Sequence, residues 1–555
     1  MIEIFFSLQN KTVRVPQNTT ILEAARQAGV LIESPCDGVG TCGKCRVLVK
    51  NASEGSVRCE DGPHALGRED TEKGYVLACQ ARAFANLEVE CKNTQSQNTT
   101  LKILSEGKSF SYPIKSNITK RFDGKQTLVL GGDKVIGEEA GDTSLSLYGC
   151  SIDIGTTTLV VALVNLLNGE EIASVSALNL QSLHAQDVLT RIKLASAPEG
   201  LANMYTGVTD EINRMIEEAA ATVRIEPKHI YEVVYSGNTT MIHLACNVNP
   251  YSLGRYPYTP QIIGGNEIPA VMLHISSFGL VFLPPIISAY VGPDITSGVL
   301  ASQLYQTKGT TLFIDIGTNG EMVIAKNGSL SATSTAAGPA FEGMNITYGM
   351  RAGNGALELF EIQEDGSVQT RIIGDVKPVG ICGSGLLDIV GELVRVGVIG
   401  KNGKLVPPDK GNYPESLKDK MVSLEGKLCF QVAEGVYLTQ KDIRQVQLAK
   451  GAVRAGVEAL LKSLDIDAMD VDRVEIAGSF GYHLRANSLI NLGLLPRAFE
   501  GKIDFVGNTS KTGGKAFLLN TDFRSEMKEV VQKIDSVELA NREDFEKIFV
   551  AMLSF

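Results

Sequence analysis

Residues 148–165, YGCSIDIGTTTLVVALVN, and residues 309–326, GTTLFIDIGTNGEMVIAK, decide the fold of most of this chain. Each reads as an apolar strand, an Asp-Ile-Gly-Thr turn and a second apolar strand. One such hairpin is ordinary; two copies roughly 160 residues apart indicate a duplicated unit. The residue types at the turn suggest a use. Gly and Thr let backbone N–H groups and hydroxyls approach phosphate oxygens closely. The Asp carboxylate repels phosphate, so its place is beside a hydrated Mg2+ ion or an attacking water. Two such hairpins facing across a cleft would clamp a nucleotide between two lobes. The first loop is then Asp153, Gly155, Thr156, Thr157 and Thr158, and the second is Asp315, Gly317, Thr318, Asn319, Gly320 and Glu321. Asp153, Asp315 and Glu321 are the expected catalytic carboxylates, and the other loop residues are expected to hold ATP.

This layout resembles the actin-like, sugar-kinase and heat-shock-chaperone ATPase superfamily, a duplicated ribonuclease H-like fold. Two later glycine clusters suit it. Gly383, Ser384 and Gly385 precede an apolar, helix-like run from Leu386 to Val396. Gly478, Ser479, Phe480 and Gly481 end an apolar strand, where the superfamily carries its adenosine-binding loop. Residues 337–345, AGPAFEGMN, read as a loop-to-helix entry near the cleft. The stretch 511–516, KTGGKA, lacks the glycine spacing and the final Ser or Thr of a P-loop.

The second decisive stretch is 34–45, SPCDGVGTCGKC. Cys36, Cys42 and Cys45 on one glycine-rich loop would repel one another as thiolates unless a metal centre took their charge. A plant-type 2Fe–2S loop spaces its cysteines x4 and x2 with a distant fourth ligand; here the first gap is one residue longer. Cys59 and Cys79 compete for the fourth place. Cys79 is preferred, since it sits at the mouth of a strand, whereas Cys59 lies in a charged, loop-like stretch. Cys91 alternates with Leu87 and Val89 and reads as a small buried residue. Cys150, Cys246, Cys382 and Cys429 are isolated and read as core or near-core thiols. Around the loop, residues 2–6 and 12–15 suggest a hairpin, and Thr20 with Glu23 suggests a capping box for a helix ended by Gly29. Further strands are expected at 45–50 and 86–91. Residues 1–92 therefore resemble a β-grasp ferredoxin.

The chain has 555 residues, a net charge of −11 and ten cysteines without a dense framework. Its length suits several domains, and its acidity gives no support to a nucleic-acid role. The expected compartment is the reducing cytoplasm. No basic, apolar export signal opens the sequence. The most membrane-like stretch, near 275–293, carries Pro284, Pro285 and several polar residues, so it reads as core and no membrane span is expected. Residues 92–100, KNTQSQNTT, read as a linker. The expected division is 1–92, a ferredoxin-like domain; 93–147, a linker and small β-rich connecting element; and 148–555, the ATPase in lobes 148–308 and 309–555.

A cluster-carrying domain joined to such an ATPase resembles the reductive activators of corrinoid-dependent methyltransferases. The likeness rests on Cys36, Cys42, Cys45 and Cys79, on both Asp-Ile-Gly-Thr turns, and on 237–243, GNTTMIH. It rests also on 337–343, 381–385 and 477–481. One departure is that 93–147 looks shorter than in members with a full middle domain. The resemblance implies a 2Fe–2S cluster, ATP and Mg2+ as cofactors. It implies a corrinoid protein and a low-potential electron donor as partners, and a homodimer. The implied reaction passes one electron to an inactive cobalt(II) corrinoid, returning cobalt(I) for methyl transfer. Two rivals share the motifs: a redox-regulated small-molecule kinase, and an ATP-driven electron donor to another low-potential enzyme.

Overall fold

The computed structural model of the protein describes all residues except 31, 33, 35–39, 41–42, 54, 60–65, 67, 92–106, 186, 271–278 and 479–483. Met1–Thr100 with Gln181–Gln186 form one compact unit, and Leu101–Leu180 with Asp187–Phe555 form the other.

In the first unit, β1 (Ile2–Phe6), β2 (Lys11–Val15), α1 (Ile21–Gln27), β3 (Arg46–Val49), β4 (Tyr75–Leu77) and β5 (Leu87–Glu90) build a mixed sheet in the order β2-β1-β5-β3-β4. β1 pairs antiparallel with β2 and parallel with β5. Alternation sends Ile2, Ile4 and Phe6 to one face, where Leu87, Val89, Val47 and Val49 join the same core. α1 closes that face with Ile21, Leu22, Ala24 and Ala25. Its start is fixed by Thr20 Oγ1, which accepts the Glu23 N–H at 3.1 Å. Its end is followed by Gly29 at φ +62°. This is the β-grasp arrangement. Cys59 differs from its sequence reading: it ends a short strand, Val57–Cys59, paired with Ala81–Ala83.

The second unit opens with a small antiparallel sheet of β6 (Ile118–Phe122), β7 (Gln126–Gly131) and β8 (Lys134–Ala140). The first lobe then follows as β9 (Tyr148–Ile154), β10 (Thr158–Asn165), β11 (Glu171–Leu178), α2 (Val188–Ala195), α3 (Pro198–Thr222), β12 (Ile230–Gly237), α4 (Thr239–Ala245), β13 (Asn266–Pro269) and β14 (Leu280–Leu283). Its sheet runs β11-β10-β9-β12-β14-β13. Helix α5 (Pro293–Ala301) leads to the second lobe, with β15 (Thr310–Ile316), β16 (Gly320–Lys326), β17 (Ser329–Thr335), α6 (Gly383–Arg395), α7 (Gln440–Ser463), β18 (Arg473–Ala477), β19 (Ile503–Gly507) and α8 (Thr509–Leu519). That sheet runs β19-β18-β15-β16-β17, with Asp535–Ser536 at its edge.

The two sheets share one plan. An antiparallel meander carries further strands beside its first strand, three in the first lobe and two in the second, and the nearest of these, β12 or β18, runs parallel to it. Parallel pairing decides where the turns sit. Ile154 is level with Gly237, and Asp315 with Ala477. Each Asp-Ile-Gly-Thr turn therefore lies at the same sheet end as the corner leaving its parallel neighbour. β10 and β12 are buried nearly throughout, as the unbroken apolar run Leu159–Val164 of β10 suits.

Helix α8 comes late in the sequence but packs on α5 and on β9 and β12 of the first lobe. Small residues permit this. A Cβ on Gly513 would stand 2.0 Å from the Ser297 carbonyl oxygen, and one on Gly514 would stand 2.4 Å from Ser151 Oγ. The stretch KTGGKA is thus a helix-crossing surface. The glycine cluster at 383–385 is itself the first turn of α6, three residues ahead of the expected helix start. At the expected loop-to-helix entry, Pro339–Glu342 form a 3-10 turn. Among the described residues, no helix is long and apolar enough to cross a membrane.

Candidate functional site

A single cleft in the second unit gathers both turns. Asp153, Gly155, Thr156, Thr157 and Thr158 line it together with Asp315, Gly317, Thr318, Asn319 and Glu321. Gly383, Ser384 and Gly478 line it as well. Gly320 and Gly385 serve close packing: a Cβ would meet Thr335 Oγ1 at 2.9 Å and the Leu357 carbonyl oxygen at 2.1 Å, respectively. Ser479, Phe480 and Gly481 lie outside the described residues. Gly478 takes φ +111°, and a Cβ there would meet the Ile316 carbonyl oxygen at 2.6 Å, so only glycine fits beside the second turn.

The two turns are not identical. In the first, the Gly155 N–H donates to the Thr158 carbonyl at 3.0 Å; in the second, the Gly317 N–H donates to the Asn319 carbonyl at 2.9 Å. Asp153 faces Val160 across its hairpin, whereas Asp315 faces Glu321. Like charges directly opposite on paired strands destabilise a sheet, so the second hairpin calls for a cation or a proton.

Asp294, in the first turn of α5, adds another carboxylate to the cleft. Desolvation, then the neighbouring Asp315 and Asp153, pushes its carboxyl up to about 8. Desolvation and Asp153 push Asp315 up to about 7. Desolvation, then Asp294 and Asp315, hold Glu321 well above the usual carboxylate range. Asp153 is raised less freely: desolvation is opposed by Asn508 Nδ2, which donates to Oδ2 at 2.8 Å, and by Ser510 Oγ, which donates to Oδ1 at 2.9 Å. Among the described residues, no three acidic, His or Cys side chains cage an ion by themselves.

The first turn is braced from behind. Asn179 Nδ2 donates to the Gly155 carbonyl at 2.9 Å, Arg191 Nη2 to the Thr156 carbonyl at 2.5 Å, and Asn238 Nδ2 to Thr156 Oγ1 at 3.0 Å. Thr318 Oγ1 donates to Glu342. Sequence reasoning missed Asp294, Asn508, Ser510 and Arg191. One signal was present: Gly237-Asn238-Thr239 and Gly507-Asn508-Thr509 are matching strand-to-helix corners, and each Asn caps its helix. Cys382, read from sequence as a core or near-core thiol, is buried as expected and also lines the cleft at the start of α6. His243 is structural. It is buried, its Nδ1 donates to the Thr239 carbonyl at 2.7 Å, and its Nε2 accepts the Gln261 and Ile262 N–H groups at 3.0 and 3.2 Å.

The first unit holds a second site. Arg46 pairs with Leu77, and the Ala78 N–H donates to the Cys45 carbonyl at 2.8 Å. This register brings Cys45 Sγ to 3.2 Å from Cys79 Sγ. The Cys45 contact, aided by Gln80 and the Gly40 amide against an opposing burial effect, lowers the Cys79 thiol to about 7. A lowered thiol with a backbone donor beside it is the arrangement a thiolate ligand uses. Cys36 and Cys42 lie outside the described residues. Cys59 is exposed, and burial pushes the Cys91 thiol up to about 12.

Residues 5–84 match a 2Fe-2S iron-sulfur cluster binding domain, 148–307 the RACo middle region, and 309–555 the C-terminal domain of RACo, the ASKHA domain. The class so defined joins a cluster-binding domain to a nucleotide-binding ASKHA domain. A solved structure of a reductive activator for corrinoid, iron-sulfur protein superposes with a TM-score of 0.73 at 31% identity, covering 100% of this chain and 98% of that one. The corrinoid activation enzyme RamQ of Eubacterium limosum is 28% identical, with 100% of this chain and 99% of that protein covered. The Co(II) methylated amine-specific corrinoid protein reductase of Methanosarcina barkeri is 24% identical over 74% of this chain and 77% of its own length. The chain belongs to the family of reductive activators of corrinoid proteins.

Proposed function

We propose that the protein reactivates a corrinoid protein by ATP-dependent reduction, passing one electron to the partner's cobalt(II) to give cobalt(I), the methyl acceptor. The observation that carries this reading is the end-to-end likeness to a reductive activator, covering 98% of that chain.

Cys36, Cys42, Cys45 and Cys79 would hold a 2Fe–2S cluster, which supplies single electrons near roughly −400 mV in its plant-type form. A one-electron step uphill by about 100 mV costs about 2.3 kcal/mol, or nearly fifty-fold in equilibrium. That gap is modest against ATP turnover. In the cleft, Thr156, Thr157, Thr158 and Asn319 present hydroxyl and amide donors to the ATP phosphates, and Gly317 and Thr318 form the second turn beside them. Asp153, Asp294, Asp315 and Glu321 would hold Mg2+, which neutralises phosphate charge. Asp315, with Glu321 opposite, orients the attacking water. Gly383, Ser384 and Gly478, with Ser479, Phe480 and Gly481, receive the adenosine. Binding of ATP closes the cleft and favours a complex in which the partner's cobalt is easier to reduce; hydrolysis releases the partner. ATP must bind the two states unequally, or nothing shifts. A low-potential donor refills the cluster domain, and the setting is the cytoplasm, with a homodimer as the assembly.

The test is anaerobic. The reduced protein is mixed with a cobalt(II) corrinoid protein and the cobalt(I) absorption band is followed with and without Mg-ATP. ATP-dependent cobalt(I) is the expected result. Its absence across several corrinoid partners, with ATP still hydrolysed and the cluster intact, sinks the reading, and a phosphorylated small molecule would point to the kinase.

A further inference from the structure

Gly107 and Lys108 come after the cluster-binding domain in the chain and lie against the helix that holds Asp153. Gly107 forms an isolated antiparallel bridge with Gly507 at the end of β19, and the Lys108 N–H donates to the Val506 carbonyl at 2.7 Å. The Lys108 carbonyl accepts from Thr512 Oγ1 of α8 at 2.8 Å. Its ammonium meets Glu475 of β18 at 2.5 Å, a carboxylate with a side chain only 2% exposed. The tightest approach is at Gly107, where a Cβ would stand 2.3 Å from the Asn508 carbonyl oxygen and 2.7 Å from its carbon. Backbone at that distance cannot yield as a flexible side chain could. Asn508 is the residue whose amide donates to Asp153 Oδ2 at 2.8 Å, while its side-chain oxygen caps α8 by accepting the Lys511 N–H at 2.9 Å. One backbone contact therefore separates this segment from the amide that aims a cleft carboxylate.

We propose that Gly107 and Lys108 are positioning residues for the nucleotide reaction, fixing the Asn508 corner and through it Asp153. The inference rests on the nucleotide reading of the cleft and extends it to residues outside every motif. Linkage makes the effect reciprocal: if the contact at Gly107 favours nucleotide binding, bound nucleotide tightens that contact by the same free energy. Because the segment continues the chain from the cluster-binding domain, nucleotide occupancy would be felt at that domain's tether.

Two measurements on the full chain decide it. In the first, Gly107→Ala raises KM for ATP about tenfold, a usual size for such coupling. Its effect shrinks to under about twofold in an Asn508→Ala background, since the two residues act through one contact. Lys115→Ala, at the far end of the same segment where the ammonium meets the exposed Asp522, leaves KM unchanged. An equal penalty in both backgrounds, or none alone, overturns the proposal. In the second, needing no variant, Mg-ATP slows amide exchange at Lys108 about tenfold in the wild-type protein. Calorimetric binding of Mg-ATP with unchanged exchange overturns the proposal while sparing the nucleotide reading. No binding at all, with the cluster spectrum intact, overturns both.

Discussion

Asp315 and Glu321 show how a single residue can be read for chemistry. A sheet does not place two carboxylates opposite each other on neighbouring strands, in a desolvated cleft, for stability. Asp153 and Asp294 deepen the negative field. A divalent cation bound there would offset the cost. Neutralising one member should therefore help the empty protein and harm the working one. Asp315→Asn is expected to lower the ATPase kcat roughly a hundredfold or more, in the range for loss of a positioned acid or base, without loss of folding stability. Steady-state phosphate release and a urea transition on the same sample check both parts. A kcat within a few-fold of wild type removes Asp315 from the chemistry.

Whole elements explain what the sequence concealed. The hairpins were readable because strand, turn and strand are contiguous, and their repetition made the two-lobed plan visible. Asp294, Arg191, Asn508 and Ser510 were not readable as site residues, because parallel pairing and the return of α8 to the first lobe bring them there from distant stretches. The corner Gly507-Asn508-Thr509 is one clue, since it repeats the corner at 237–239. The stretch KTGGKA illustrates the opposite error to avoid. Its glycines look like phosphate chemistry but exist so that α8 can press on α5 and β9. Gly513→Ala tests this. Its Cβ would stand 2.0 Å from the Ser297 carbonyl oxygen, so overpacking should cost about 1–3 kcal/mol in a urea transition. A neutral or stabilising result would show that the helix crossing has slack.

At the scale of the molecule, two units with separate cores carry separate chemistry: thiols set by β3 and β4 in one, carboxylates between two duplicated sheets in the other. Neither half alone accounts for reductive activation, which requires an electron and a source of free energy in one chain. The division makes a prediction that the joint activity cannot. A ligand that binds only the folded state stabilises it by about 2.7 kcal/mol when present at a hundred times its Kd. Cys79→Ser should lose the visible cluster absorption and the reduction of a corrinoid partner. Yet its ATPase unit should still gain thermal stability from Mg-ATP, to the same extent as wild type. Cys59→Ser, altering an exposed thiol on a strand, should keep both the absorption and the nucleotide response. Absorbance spectra with thermal scans, with and without Mg-ATP, read all of these in the full chain. If Cys79→Ser keeps its spectrum while Cys59→Ser loses it, the ligand assignment is reversed. If loss of the cluster also abolishes the Mg-ATP response, the two units do not work as separable modules, and the cluster must take part in building the nucleotide site.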